Sequence, residues 1–179
     1  TAKGADVNPR SPVRDYQRHV TAEGRPKSLD SGGLTPLLYA ARENCAACVE
    51  VLLENGADVD LPDPDGVSPL LLAIMNANWD LASDLIEAGA DVNQWDIYGE
   101  SPLFTAVDLR SRIDGGRASI DPLNTTTGLS IVKTLLERGA NPNMQLLFRP
   151  ANLRGPTNTR GSTPLIRSGN NRDLAGQIV

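Results

Sequence analysis

The residues best suited to chemistry are the two cysteines of the chain, Cys45 and Cys48, which lie in the segment ENCAACVEVLL. A Cys-x-x-Cys pair can be a redox site, half of a metal site, or two small apolar residues on a helix. A structural zinc site usually needs four ligands, but the chain has no second cysteine pair and its single histidine, His19, lies in another segment. A redox pair at a helix N-terminus is physically possible, because the helix dipole favours a thiolate.

We favour a structural role for the cysteine pair. The segment AACVEVLLEN carries apolar residues at the i, i+3, i+4 spacing of one helical face: Cys48, Val49, Leu52 and Leu53. We therefore expect Cys48 to fill the core. Cys45 falls in the turn before this helix, where we expect it to be half-exposed.

Other chemical motifs in the chain are weaker. The segment LPDPDG, residues 61–66, resembles part of a calcium loop, but Leu61 and Leu72 stand where the first and twelfth ligands belong. Asn124 begins NTT, a three-residue match to a glycosylation acceptor that is common by chance. No G-x-S-x-G segment accompanies His19, and the glycine pairs lack the lysine of a phosphate loop. We therefore expect no catalytic residue, no metal site, no cofactor and no enzymatic activity.

Composition places the chain among soluble globular proteins. It has 179 residues, 40% of them hydrophobic and 22% charged. No apolar run approaches the ~20 residues of a membrane span, and no signal-peptide pattern is visible, so we expect a soluble protein of unknown compartment. The net charge of −5 argues against general binding to nucleic-acid phosphates.

Charge is distributed unevenly along the chain. Residues 33–98 contain twelve acidic residues and one base, Arg42, which gives this third of the chain a net charge of −11. The remainder carries +6. An acidic centre is therefore flanked by mildly basic segments.

An internal period organises most of the sequence. TPL or SPL begins at four positions: Thr35, Ser68, Ser101 and Thr163. GAD or GAN also begins at four: Gly4, Gly56, Gly89 and Gly139. A period of 33 residues fits both series if insertions of 19, 17 and 12 residues are allowed.

Each period predicts two short helices and a loop. In residues 33–65, Thr35 is suited to an N-cap, Pro36 to the first helical position, and Gly56 to the left-handed residue that ends a helix. Helices of eight to ten residues are marginal alone in water. They become stable by stacking, so the sequence predicts an array.

The repeated segments closely resemble the ankyrin repeat. They are GLTPLLYAA with VLLENGADVD, GVSPLLLAI with LIEAGADVN, GESPLFTAV with LLERGANPN, and GSTPL. The resemblance implies an all-α solenoid of stacked helix-turn-helix units with β-hairpin-like loops, here with three insertions. The family's histidine after T-P-L is replaced by apolar residues, so we expect packing in place of its hydrogen bond: Leu38, Leu71, Phe104 and Ile166.

We expect a single ankyrin-repeat array over residues 1–179. Its parts are the end of a preceding repeat with a long loop insert, two regular repeats, a repeat with two insertions, and a truncated repeat: 1–32, 33–65, 66–98, 99–160 and 161–179. The chain opens on KGADVN, the tail of a repeat, and stops inside another. We therefore interpret it as a fragment of a longer ankyrin-repeat protein.

The inserts are the features that distinguish this array. Two basic inserts, roughly residues 9–32 and 141–160, are expected on the loop edge beside the acidic central loops. They can fold back over those loops or present side chains to a partner, and we expect at least one to dock. Docking needs buried apolar area as well, because exposed charge pairs contribute little. A third insert, near 110–127, is expected at the opposite edge.

Repeat scaffolds bind through loops and a concave face, because a rigid extended surface meets a partner without reorganising. The predicted partner-binding residues are Arg14, Tyr16, Arg18, Trp95, Tyr98, Phe148, Arg149 and Arg154. For Trp95 and Tyr98, at a predicted hairpin tip, packing between neighbouring loops is an equal alternative.

The resemblance implies a non-catalytic protein–protein interaction module. We expect a monomer that recognises another protein through its loop edge and concave face, and that binds neither nucleic acid nor membrane. The alternative is a structural or regulatory arm of a larger protein whose activity lies outside this segment.

Overall fold

The computed structural model describes residues 4–13, 32–114, 124–147 and 161–164, with the backbone alone for 110–114. These parts of the chain contain six helices and no strand: α1 Pro36–Arg42, α2 Ala46–Glu54, α3 Pro69–Met75, α4 Trp79–Glu87, α5 Pro102–Asp114 and α6 Gly128–Glu137. None of these helices is long and apolar enough to cross a membrane.

The first helix of every pair begins with the same cap. The hydroxyl oxygens of Thr35, Ser68 and Ser101 each accept a hydrogen bond of 3.2 Å from the backbone amide three residues on. A proline follows each of these residues and opens the helix, where its missing N–H costs nothing. The predicted cap at Thr35 is confirmed.

The second helix of every pair is followed by a glycine in the left-handed region. Gly56, Gly89 and Gly139 have φ values of +84°, +92° and +87°. Side chains are disfavoured at such angles, so glycine ends the helix without strain. The prediction for Gly56 is confirmed.

The helix pairs stack in chain order. Helix α1 packs on α2 and α3, α3 packs on α4 and α5, and α6 packs on both α4 and α5. One apolar core runs through the stack, and its largest fully buried side chain is Trp79. The apolar residues in the family's histidine position are buried too, as expected: Leu38, Leu71 and Phe104. Ile166 lies outside the described residues.

Burial differs sharply between the two nine-residue helices. Helix α4 buries five side chains, whereas α2 buries only Val49. Cys48 is exposed, so its predicted place in the core is wrong. One period later the same position holds Leu81, which is buried. The difference follows the packing of the two helices, because α4 packs on both α3 and α6, whereas α2 packs chiefly on α1.

Candidate partner-binding surface

Four hairpin-like loops connect the helix pairs along one edge, and we call them fingers. They are finger 1 (10–13 with 32–34), finger 2 (62–67), finger 3 (95–100) and finger 4 (144–147 with 161–162). Each is closed by backbone hydrogen bonds between its two arms, such as Ser11 N to Leu34 O at 3.0 Å and Asp63 N to Val67 O at 3.0 Å. The described residues therefore present two complete loops, fingers 2 and 3, in a row with the paired stems of fingers 1 and 4.

An aspartate organises each central finger from within. Asp63 Oδ1 accepts hydrogen bonds from the amides of Asp65 at 2.9 Å and Val67 at 2.8 Å. One period later Asp96 Oδ1 accepts the equivalent two bonds, both at 2.9 Å. These turns use the acidic side chains locally. Among the described residues no group of three or more possible ligands could hold a metal ion.

Backbone hydrogen bonds also join neighbouring fingers. Ile97 N donates to Asp65 O and Leu147 N donates to Tyr98 O, each at 2.9 Å. Fingers 2 and 3 approach so closely that a Cβ on Gly66 would lie 3.2 Å from Asp96 Cα. The fingers are therefore locked to one another as well as closed individually.

Fingers 1 and 2 are joined differently, because Pro64 stands where Ile97 stands in finger 3 and has no N–H to donate. Arg10 Nη1 instead donates to Gly33 O at 3.0 Å and to Pro62 O at 2.6 Å. The Pro64 ring also lies against Gly33, where an added Cβ would come within 2.5 Å of its Cγ. The stem of the first basic insert thus docks on its neighbour through Arg10.

The turns between helices and fingers form a second ladder. Asn8 Oδ1 accepts from Asp58 N at 2.9 Å, and Asp60 Oδ1 accepts from Asp91 N at 2.8 Å. The series continues with Asn93 Oδ1, which accepts a hydrogen bond of 2.7 Å from the backbone amide of Asn141 in the next turn. Burial raises the pKa of Asp60, and the nearby charges of Asp91 and Asp58 raise it further despite the hydrogen bond.

The fingers carry most of the exposed large apolar side chains. Six such side chains stand out in the described residues, and four lie in fingers: Val13, Trp95, Ile97 and Leu147. Trp95 is 53% exposed and Leu147 is 52% exposed. A tryptophan side chain that is more than half exposed, in a loop closed by hydrogen bonds, is available for contact with another molecule.

The two aromatic residues predicted to bind a partner from the same hairpin tip differ in their exposure to solvent. Trp95 is exposed, whereas Tyr98 is half-buried and its carbonyl accepts the bond from the next finger. Ile97 was not predicted as a binding residue. It occupies the finger position that Leu147 occupies one unit later, so the repeat alignment could have revealed it.

The remaining predicted binding residues lie outside the described residues: Arg14, Tyr16, Arg18, Phe148, Arg149 and Arg154. The residues that bracket them are described. The first segment follows Val13 and ends before Gly32, and the second follows Leu147 and ends before Gly161. The first basic insert is therefore joined to the array at finger 1, and the second basic insert is joined to it at finger 4.

The family model for the ankyrin repeat matches residues 32–64 and 65–97, the ranges that hold α1 to α4. This chain is an ankyrin-repeat protein. Its described helices and connecting loops fit an all-α ankyrin solenoid, as the sequence predicts. None of the curated proteins matches the sequence. Ankyrin repeats are generally protein–protein interaction modules and are typically non-catalytic.

The edge opposite the fingers is closed by a short segment, residues 124–126, which we call the strap. It crosses the N-terminus of α4, in the preceding ankyrin unit. Asn124 Oδ1 accepts from Trp79 N at 3.1 Å and Asp80 N at 3.4 Å, and its Nδ2 donates to Ala77 O at 2.9 Å. Asn124 is half-buried and caps α4, so it is engaged in packing and is a poor glycosylation acceptor.

Asp80 completes the attachment of the strap. Its carboxylate accepts from Thr125 N at 2.9 Å, from Thr126 N at 2.7 Å and from Thr125 Oγ1 at 3.0 Å. Hydrogen bonds from the Thr126 side chain and the Thr125 amide lower the pKa of Asp80 to about 2. Residues 124–126 thus lie at the edge of the ankyrin array opposite the fingers.

The cysteines of the first ankyrin unit are bonded to each other. Cys45 and Cys48 form a disulfide with a Cα–Cα distance of 5.2 Å. Cys45 is half-buried, as predicted, and Cys48 is exposed at the start of α2. The pair is therefore neither core filler nor part of a metal cluster of the described residues.

Proposed function

We propose that this chain binds another protein through its finger edge, by non-covalent recognition with a preformed surface and without a cofactor. The observation that carries the proposal is the exposure of Trp95, Ile97 and Leu147 on neighbouring fingers. Large apolar side chains usually leave solvent on folding, so their placement on one edge favours a site that a partner covers.

The rigidity of the fingers supports this function. Each is closed by its own backbone bonds, and the fingers are joined to one another by backbone bonds or, between fingers 1 and 2, by the Arg10 side chain. A surface that is ordered before binding loses little conformational entropy on association. The same apolar side chains on mobile loops would bind more weakly for equal buried area.

Trp95 is the proposed centre of the site. Tryptophan and arginine are enriched among residues that dominate binding energy, and Trp95 is both exposed and anchored in a closed loop. Tyr98, in the same finger, is half-buried, and its carbonyl accepts the backbone bond from finger 4.

The two basic inserts are proposed to flank the partner. They join the array at fingers 1 and 4, on either side of the acidic fingers 2 and 3. Arginines at the rim steer association, whereas apolar residues at the centre hold the complex. We assign the rim role to Arg14, Arg18, Arg149 and Arg154, with Tyr16 and Phe148 as apolar contacts.

Charge supports a protein as the partner. The chain carries a net charge of −5, and its central third carries −11. Nucleic-acid binding requires phosphate neutralisation and falls steeply with salt. Binding through Trp95, Ile97 and Leu147 should change little with salt.

A quantitative capture experiment tests the proposal. The wild-type chain, a Trp95→Ala/Ile97→Ala variant and a Val51→Ala control are immobilised, and proteins retained from a lysate of the source organism are quantified. Val51 is an exposed apolar residue on α2, away from the fingers. We expect a protein retained by the wild type and the control and lost by the finger variant. Equal retention by all three chains contradicts the proposal.

A further inference from the structure

The disulfide joins two positions that have a defined role in helix formation. Cys45 is the N-cap of α2, and Cys48 lies three residues later in its first turn. The side chain of Cys45 accepts no capping hydrogen bond. The start of α2 is therefore fastened by a covalent link between N-cap and N3.

Helix α6 fastens the same two positions with hydrogen bonds. Thr127 Oγ1 accepts from Ser130 N at 3.2 Å, and Ser130 Oγ accepts from Thr127 N at 3.1 Å. This reciprocal pair is a capping box. The disulfide of α2 replaces the capping box of α6 with a bond that thiols can open.

We propose that Cys45 and Cys48 form a dithiol–disulfide site that exchanges with thiols in solution, and that its oxidised form holds the first turn of α2. Two further observations support this. Cys48 is exposed and open to attack, and the two alanines before it are exposed as well. The residues of α2 that pack on the core, Val49, Leu52 and Leu53, come later in the helix, so tertiary packing restrains its first turn little.

The exchange needs only a small thiol such as glutathione. Its thiolate attacks Cys48 Sγ, the protein disulfide breaks, and the bonding electron pair leaves on Cys45 Sγ as a thiolate. The positive end of the α2 dipole stabilises that leaving group. A second thiolate attacks the glutathione sulfur of the mixed disulfide and releases Cys48. Protonation of both thiolates leaves the protein dithiol and glutathione disulfide, and the reverse sequence restores the cap.

Redox titration tests the exchange itself. The full chain is equilibrated in buffers of graded glutathione to glutathione disulfide ratio, and its free thiols are trapped with a heavy maleimide and counted by mass. We expect both thiols to appear together while the far-ultraviolet circular dichroism stays native. Two free thiols in the oxidised buffers, or a disulfide that opens only after unfolding, overturns the proposal.

Amide exchange tests the capping role. Reduction should accelerate exchange in the first two turns of α2 about fivefold, the effect of losing an average cap, while α4 is unchanged. A Cys45→Ala/Cys48→Ala variant, which has neither the disulfide nor a capping side chain, should behave as the reduced chain in every buffer. A Cys45→Ser/Cys48→Ser variant, which can form the kind of capping box seen at α6, should regain protection. If the double alanine variant exchanges like the oxidised wild type, the disulfide is not the cap.

As a matched control, Thr127→Ala removes the non-covalent capping box of α6. It should loosen α6 equally in oxidising and reducing buffers. A redox dependence at α6 in this variant would mean that the effect seen at α2 is general, and it would overturn the local assignment.

Discussion

The two edges of this solenoid use their polar and apolar groups in opposite ways. At the strap edge, the side chains of Asn124 and Asp80 form hydrogen bonds with backbone groups of the neighbouring unit. At the finger edge, backbone hydrogen bonds close and join the fingers with help from the side chains of Asp63, Asp96 and Arg10, while large side chains such as Trp95 and Leu147 face solvent. The strap edge thus holds neighbouring units together, whereas the finger edge leaves large apolar side chains exposed for contact with another molecule.

This difference shows which edge of a repeat array is free for recognition. A loop whose shape is fixed by hydrogen bonds within itself and to its neighbouring loops can expose apolar side chains without losing that shape. A loop whose side chains complete the hydrogen bonding of another unit cannot change partners without unfolding. Variants at the two edges should therefore separate stability from binding.

The largest effect on stability is expected at the strap. Asn124→Ala removes the cap of α4 and the bond to Ala77 O, so we expect the free energy of unfolding to fall by about 2 kcal/mol in urea titration. Thr125→Ala is the matched control, because it removes one exposed hydroxyl contact and should cost well under half as much. Equal losses in the two variants would show that Asn124 is not the anchor.

At the finger edge, Trp95→Ala should weaken a captured partner at least tenfold, about 1.4 kcal/mol. Its unfolding free energy should change by less than about 0.5 kcal/mol, because the side chain is more than half exposed. Tyr98→Ala is the comparison, and since Tyr98 is half-buried its loss should appear more in stability. Unchanged binding with a large fall in melting temperature for Trp95→Ala would assign that residue to packing.

Acid should affect the strap in a narrow pH window. The folded pKa of Asp80, about 2, lies below the ordinary value of 3.8. Its contribution to stability is therefore complete above pH 3.8 and is lost as pH falls toward 2. We expect Asp80→Asn to be less stable than the wild type at pH 6, with the gap closing below pH 3.8 in urea titrations. A gap that is independent of pH would contradict this assignment.

The smallest effect is expected at Asp63, whose pKa is shifted in the opposite direction to that of Asp80. Burial raises its pKa above 3.8, although the amides of Val67 and Asp65 and the charge of Arg10 oppose the shift. Its ionisation therefore costs folding stability at neutral pH, and this cost disappears as pH falls through the folded pKa. Asp63→Asn keeps the acceptor oxygen and should be equal to or slightly more stable than the wild type at pH 7. Asp63→Ala, which loses the turn, should be less stable at every pH.

The parts of the fold that sequence could predict are local. Thr35, Pro36 and Gly56 act on residues within one turn of themselves, so their types were enough to place the ends of a helix. The 33-residue period then placed the neighbouring units. The replacement of the family's histidine by buried apolar residues followed from the same alignment.

The parts that sequence missed depend on what lies beside each residue. Cys48 has the apolar spacing of a core residue, but a side chain is buried only where a neighbour covers it, and Leu81 has that neighbour. Asn124 caps a helix that begins 45 residues earlier, and no local pattern signals such a contact.

The most direct test of the finger edge as the recognition surface is site-specific photo-crosslinking in the source cell. A photoreactive phenylalanine analogue is placed at position 95 in one chain and at position 125, on the exposed strap, in another. The account predicts that position 95 crosslinks to a discrete protein partner and that position 125 does not. Crosslinking of the same partner from position 125 alone would contradict it.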